Sequence, residues 1–307
     1  MRPLFALIGL LVLLAGCATP HPDDDFDFDT CGVRPRVQIP VTMRGNVPLV
    51  FGSISGKPAV FVLDTGADAV VLTEQAVTKF GIDLDTRAVY TGVGIGGTTR
   101  SFAGVVRDMR IGDLVVPPHR VRLLAANSGI AGTGVDGLFG VSVLSVFEVD
   151  LDLPNRIVTL YAGRLCPDTV APHWAPRAVM MDASRSERGR FTVQVTVDGY
   201  KLNALLDTGA AVSLLSSRAA LAMGVTPEVL SRDGITMLAG TGPGATRAAV
   251  HRFGTIDFAG ERFNNRPLVV TELPPGVIDM IIGADYLAHR RIWLSYARRR
   301  AYIAPPP

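Results

Sequence analysis

Two Asp-Thr-Gly triplets, Asp64-Thr65-Gly66 and Asp207-Thr208-Gly209, carry the side chains of this chain most suited to chemistry. Each follows an apolar run, Phe61-Val62-Leu63 or Ala204-Leu205-Leu206, which would hold its carboxylate at the end of a buried strand. Two carboxylates placed a few ångströms apart cannot both ionise cheaply, so they share one proton. One member is then a base and its partner an acid, enough to activate a water and protonate a carbonyl oxygen without metal or covalent intermediate. An Asp-Thr-Gly can also do no more than make a tight turn. A turn does not require Asp in both copies, however.

The other motifs fail on context. Gly92-Val93-Gly94-Ile95-Gly96-Gly97 fits the spacing of a dinucleotide fingerprint, but the next residues, Thr98-Thr99-Arg100-Ser101-Phe102, read as strand where that motif opens a helix. The acidic run Asp23–Asp29 would put Thr30 and Arg36 at the Gly and Glu positions of a calcium loop. His21, His119, His173, His251 and His289 are dispersed and no CxxC occurs, so no zinc site is called for. With 48% apolar residues, 19% charged and a net charge of +2, the chain is neither disordered nor a polycation for nucleic acid. Plentiful Gly and Pro with 7% aromatics favour strands and turns over a helical bundle.

The triplets belong to a duplicated domain. Phe61–Leu72 recurs as Ala204–Leu215 at an offset of 143 residues, and the same offset carries Gly81 to Gly224, Asp136-Gly-Leu-Phe-Gly140 to Asp279-Met-Ile-Ile-Gly283, and Leu144 to Leu287. Each copy reads as a turn at Gly56 or Gly199, a strand into the triplet, a short helix, a Gly-rich hairpin and a closing strand. Thr73 and Ser216 or Ser217 suit the helix starts, and Gly81 and Gly224 the ends.

The expected organisation is a signal peptide over 1–16, a lipidated cysteine and acidic tether over 17–36, lobes over 37–165 and 189–307, and a linker over 166–188. Leu14-Ala15-Gly16-Cys17 resembles the lipobox of bacterial lipoproteins, which implies lipidation of Cys17; Ala18 after it implies sorting to the outer membrane, facing the periplasm. Cys31 and Cys166 are then the pair left over, in a compartment that permits a disulfide.

These residues together resemble the pepsin and retropepsin superfamily of aspartic proteases, with Asp-Thr-Gly-Ala closer to the retropepsin form, over about 45–161 and 189–303. The resemblance implies an all-β fold of two lobes related by a pseudo-twofold axis, few short helices, and Asp64 and Asp207 as a catalytic dyad. It implies that Gly66 and Gly209 keep the turns open, that Thr65 and Thr208 lock the loops together, and that Gly94, Ile95, Gly96 and Gly97 with Leu238, Ala239 and Gly240 form two flaps over bound peptide. The implied activity is endopeptidase, on a peptide or unfolded protein added as a strand, with no cofactor and no nucleic-acid partner. A single chain supplying both lobes is expected. The rivals are a catalytically silent peptide-binding or assembly lipoprotein on the same fold, and lobes that pair between chains. Retropepsins commonly place Arg in a Gly-Arg-Asp/Asn sequence where this chain has Gly140-Val141-Ser142 and Gly283-Ala284-Asp285, so that partner for Asp68 is missing, and Asp68 itself becomes Ala211 in the second copy.

Overall fold

The structure, a computed structural model, describes residues 31–306 apart from 125–127, 170–171, 186–188 and 274–277. The expected signal peptide, Cys17 and the acidic run lie outside the described residues. Strands dominate, and among the described residues they form three sheets.

Both lobes build the triplet on the same frame. In the first, strands Val47–Ile54 and Lys57–Leu63 form a hairpin whose turn places Ser55 and Gly56 at positive φ. The strand Gly137–Phe139 then runs parallel to Lys57–Leu63 and antiparallel to Val70–Leu72, threading behind the Asp64 loop. In the second, Phe191–Val197 and Tyr200–Leu206 turn at Asp198 and Gly199, and Met280–Ile282 threads between Tyr200–Leu206 and Leu214–Ser216. Continuous apolar runs such as Val60–Leu63 suit strands covered on both faces. The helices start and stop where expected. Thr73 caps Glu74–Phe80 by accepting from Ala76 N–H at 3.1 Å, Ser216 caps Ser217–Ala222, and Gly81 and Gly224 take left-handed conformations.

A six-stranded sheet joins the lobes, in the order Gly32–Pro40, Ile157–Arg164, Glu148–Asp152, Arg291–Ser295, Arg300–Ile303, Val179–Asp182. Its two central strands are equivalent in the repeat and pair antiparallel, with Asp150 opposite Trp293, so the pseudo-twofold axis passes through that pair. Two expectations about segments change here. Residues 32–36, assigned to the tether, are edge strand, and the linker contributes the strands Val179–Asp182 and Ser184–Arg185. Edge strands of both kinds need only some unpaired backbone and a few apolar contacts, which a Pro- and charge-rich sequence conceals.

The core of this sheet is aromatic and partly ionic. Trp293, Tyr296 and Tyr302 are fully buried, and the Tyr161 and Trp293 rings lie 4.6 Å apart. Glu148 is buried among them, accepting from Trp293 Nε1 and Ser295 Oγ, each at 2.8 Å. Buried Asp150 accepts two hydrogen bonds from Arg291, whose guanidinium stacks on Trp174 at 4.0 Å. Removing one partner of such a pair would leave a buried charge, which binds the two central strands to one register. A Cys31–Cys166 disulfide, with Cα atoms 4.7 Å apart, closes the outer end of the first edge pair beside Gly32 and Arg164.

Candidate active site

The two triplets meet at the axis. Thr65 N–H donates to Thr208 Oγ1 and Thr208 N–H to Thr65 Oγ1, both at 3.1 Å. Each hydroxyl then donates across the axis, Thr65 to Leu206 O at 2.8 Å and Thr208 to Leu63 O at 2.6 Å. Four buried hydrogen bonds therefore hold one loop against the other, and neither threonine can be lost without orphaning backbone groups.

Within each loop the backbone holds its carboxylate. Gly66 and Ala67 N–H donate to Asp64 Oδ1, both at 2.8 Å; Gly209 and Ala210 N–H donate to Asp207 Oδ1 at 2.9 and 3.1 Å. The glycines are required by close approach. A Cβ on Gly66 would overlap the Asp207 carboxylate, and one on Gly209 the Asp64 carboxylate. The two carboxyl groups therefore face each other at the axis. Burial pushes Asp64 well above the usual carboxylate range, the Asp207 charge pushes it further, and the Ala67 and Gly66 N–H groups offset part of this. Asp207 is also raised by burial, against the neighbouring Asp64 carboxyl, the N–H donors and the charge of Arg190. Asp64 is only 6% exposed, whereas Asp207 is half-buried.

Two hairpins close over this centre. Leu84–Gly94 and Gly97–Val106 turn at Ile95-Gly96; Gly234–Ala239 and Ala245–Phe258 turn through Gly240–Gly244. Their tips touch, with Gly242 N–H donating to Ile95 O at 2.9 Å, and a Cβ on Gly240 would crowd Ile95. A loop of the first lobe joins them, since Gly129 N–H donates to Gly240 O at 2.7 Å and Ser128 bridges Pro243. Ile95 and Leu238 insert into an apolar cluster around Leu205, Leu214 and Ile281, beside the Asp207 strand. All seven residues expected in the flaps thus lie at or beside the two tips, and Gly92–Gly97 turns a hairpin with no helix after it.

Sequence reasoning missed three supports. Asp68 does have a partner, Arg122 Nη1 at 3.2 Å from both its oxygens, and Arg122 in turn lies over Tyr90. Arg122 comes from the neighbouring strand His119–Leu123, so no motif at Gly140 could signal it. Asp136 accepts from Val60 N–H at 2.9 Å and pairs with Lys79, while Asp279 accepts from Asn203 N–H at 3.0 Å and pairs with Arg218. The Asp opening both apolar-Gly landmarks was the signal for that pair. Ser213 N–H and Oγ both donate to Asp285, where the first lobe has Val70 N–H donating to Ser142 Oγ. Among the described residues, no group of three His, Cys, Asp or Glu side chains stands together as metal ligands.

Paired loops and threading strands, built twice, define a bilobal fold of the pepsin and retropepsin kind. The chain belongs to the aspartyl protease family, whose model matches residues 50–143 and again 193–286, at the offset of the internal repeat. Soybean basic 7S globulin has a similar structure, with 10% identity over 90% of this chain and 95% of its own, TM-score 0.50. An aspartic proteinase from Irpex lacteus gives 11% identity over 90% of this chain and 98% of its own, TM-score 0.51. A retropepsin-like aspartic protease from Rickettsia conorii aligns with 41% of this chain and 89% of its own at 19% identity, TM-score 0.32. No curated protein matches the sequence at a significant level.

Proposed function

We propose that this protein is an aspartic endopeptidase that hydrolyses peptide bonds with a water activated between Asp64 and Asp207. The observation that carries the reading is the closeness of the two carboxyl groups at the axis, each lying where a Cβ on the opposite loop's glycine would fall, so that they cannot both ionise cheaply and the pair retains one proton. Asp64, the deeper member, is assigned that proton, and Asp207, more open to the cleft, the role of base. Asp207 takes a proton from the water, the hydroxide oxygen bonds to the peptide carbonyl carbon, and Asp64 donates to the carbonyl oxygen. Collapse of the tetrahedral intermediate breaks the C–N bond as the amine nitrogen takes a proton from Asp207 and a hydroxyl of the intermediate returns one to Asp64, which restores the singly protonated pair. The flaps exclude bulk water during these steps, and Ile95 and Leu238 form an apolar roof over one subsite.

In this reading the substrate is an extended peptide or unfolded protein segment, both lobes come from one chain, and no cofactor takes part. Cys17 carries lipid and anchors the enzyme to the outer membrane, facing the periplasm. Labelling with a fatty-acid analogue that is lost in Cys17→Ser tests the anchor.

Digestion of a peptide library by the full-length protein, compared with Asp64→Asn, tests the activity. Cleavage should follow a bell-shaped pH profile, because only the singly protonated pair supplies both acid and base. The optimum should lie below neutrality, with an upper limb extended by the raised pKa values. A statine-type mimic of the tetrahedral intermediate should block it, and chelators should not. No cleavage of any library member by the intact protein would favour the silent peptide-binding reading.

A further inference from the structure

The repeat supplies its own control for a groove on the first lobe. In the second lobe the helix Ala284–Leu287 carries Tyr286, whose ring lies between Phe258 at 5.1 Å and Phe263 at 6.0 Å. Its hydroxyl donates to Glu261 Oε1 at 2.8 Å, and Arg290 covers the ring at 4.8 Å while pairing with Glu261 at 2.6 Å. Register carries each of these positions into the first lobe. The offset of 143 makes Val143 the counterpart of Tyr286 and Phe147 that of Arg290, as the pairing of Glu148–Asp152 with Arg291–Ser295 confirms. The hairpin ends Ile111↔Leu114 and Phe258↔Glu261 align Leu114 with Glu261 and Val116 with Phe263.

Three aromatic rings and an ion pair are thus replaced by Ile111, Val116, Val143, Leu114 and Phe147. What remains is a half-open groove of about 430 Å³, lined by four of these, Leu114, Val116, Val143 and Phe147. That volume falls in the range of small-molecule sites, and the lining is mostly apolar, with Arg36, Asp113, His119 and Ser142 as its polar members. The polar groups include His119 and Ser142, with Nε2 and Oγ 2.8 Å apart. Ser142 Oγ also accepts from Val70 N–H, and in the neutral imidazole Nδ1 remains as the second hydrogen-bonding atom. Burial lowers the His119 pKa, which favours this neutral form. Val115 and Val146, also in the lining, are 56% and 70% exposed, where the second lobe carries the polar Arg262 and His289.

We propose that this groove binds a small ligand of the phenol class, one aromatic ring with one hydroxyl that hydrogen-bonds to His119. The ring takes the place that Tyr286 fills in the other lobe. The site shares no residue with the dyad or the flaps, so the inference stands whether or not the dyad cleaves peptides.

The probe is p-cresol, the side-chain analogue of tyrosine, with toluene as its apolar counterpart, read by saturation-transfer NMR and calorimetry on the full-length protein. We expect p-cresol to bind about three- to tenfold more tightly than toluene, the worth of one hydrogen bond. His119→Phe should erase that preference while leaving toluene bound. Val143→Tyr, which installs the residue of the second lobe, should weaken both probes at least about tenfold. Val116→Phe fills the groove from the opposite wall and serves if Val143→Tyr does not fold. Absence of p-cresol binding at millimolar concentration, or affinity unchanged in both filled variants, would overturn the proposal. So would a concentration-dependent dimer of the wild type that Val143→Tyr abolishes, since a second copy would then be the occupant.

Discussion

The two lobes agree in the loops that meet at the dyad and diverge in the clusters that face away from them. Where the loops meet, Thr65 and Thr208 make the same reciprocal bonds, with both N–H donations 3.1 Å long. Away from there, Asp68 bound to Arg122 becomes Ala211, Ser142 becomes Asp285, and Val143 becomes Tyr286. A residue on a pseudo-twofold axis has its own counterpart as neighbour, so a change in one copy must be accommodated by the other. An outward residue answers only to its own lobe, where substitutions accumulate and one lobe can lose a cluster the other keeps.

The largest test of this contrast is at the dyad. Asp64→Asn and Asp207→Asn should each reduce peptide cleavage by about a thousandfold or more, with circular dichroism unchanged, and the double variant should be no worse than either single. Equality of the two singles is the point, because the shared proton makes the carboxyls one unit. Cleavage retained in only one of them would break the symmetry claimed for the axis.

Thr65→Val and Thr208→Val come next. Each deletes a hydroxyl that both accepts from and donates to the opposite lobe, leaving a buried N–H and a buried carbonyl there unpaired. Each should cost about 2–4 kcal/mol in denaturant unfolding, by similar amounts in both lobes. The edges of the joining sheet should respond unequally. Cys31 and Cys166 close the first edge, while the second, Val179–Asp182 on Arg300–Ile303, relies on backbone pairing and a 3.8 Å contact between Arg300 and the exposed Asp182. Replacing both cysteines by serine should lower stability by about 2–4 kcal/mol, with exchange of amide protons rising first along Gly32–Pro40.

Legibility in the sequence divides along the same line. The triplets, the threonine lock, the threading Gly137–Phe139 and Met280–Ile282 strands, the helix caps and the flap tips could all be located because each is local, or repeated at a fixed offset. The partner of Asp68 could not, because Arg122 reaches it through a parallel pairing of Val70–Leu72 with His119–Leu123 that leaves no spacing rule. The edge strands hidden in the tether and linker lack alternation, since Arg34, Pro35 and Arg36 break the pattern. The groove beside Val143 was invisible for another reason. A missing ring is seen only when the filled copy is laid beside it.

A smaller effect separates the lobes' outer clusters. Tyr286→Phe removes the hydrogen bond to Glu261 but keeps the ring against Phe258 and Phe263, and should cost about 1 kcal/mol. Val143→Phe in the first lobe should cost nothing or stabilise, because its ring enters open space rather than a filled site. Equal destabilisation by both changes would mean that the groove is not open to a ring.

The last test concerns pH and the sheet that joins the lobes. Burial raises the pKa values of Glu148 and Asp150 in the folded protein, against their hydrogen bonds from Trp293 and Arg291. A carboxyl raised by folding binds more protons in the native state than in the unfolded one over the interval between its two pKa values. Its contribution to stability therefore falls as pH rises from about 4 through that interval, and stays low above it. His119, lowered by burial, works in the opposite sense, losing stability as pH falls through the ordinary value of 6.5. The two are separable because they lie on different elements. Glu148→Gln keeps an acceptor for Trp293 Nε1 or Ser295 Oγ but cannot ionise, so its unfolding free energy should decline less between mildly acidic and neutral pH than that of the wild type. The difference between the two curves cancels His119 and leaves the sheet alone. A parallel pair of curves would show that Glu148 ionises as freely in the folded protein as in the unfolded chain, and that the joining sheet owes its register to packing around Trp293 rather than to this carboxyl.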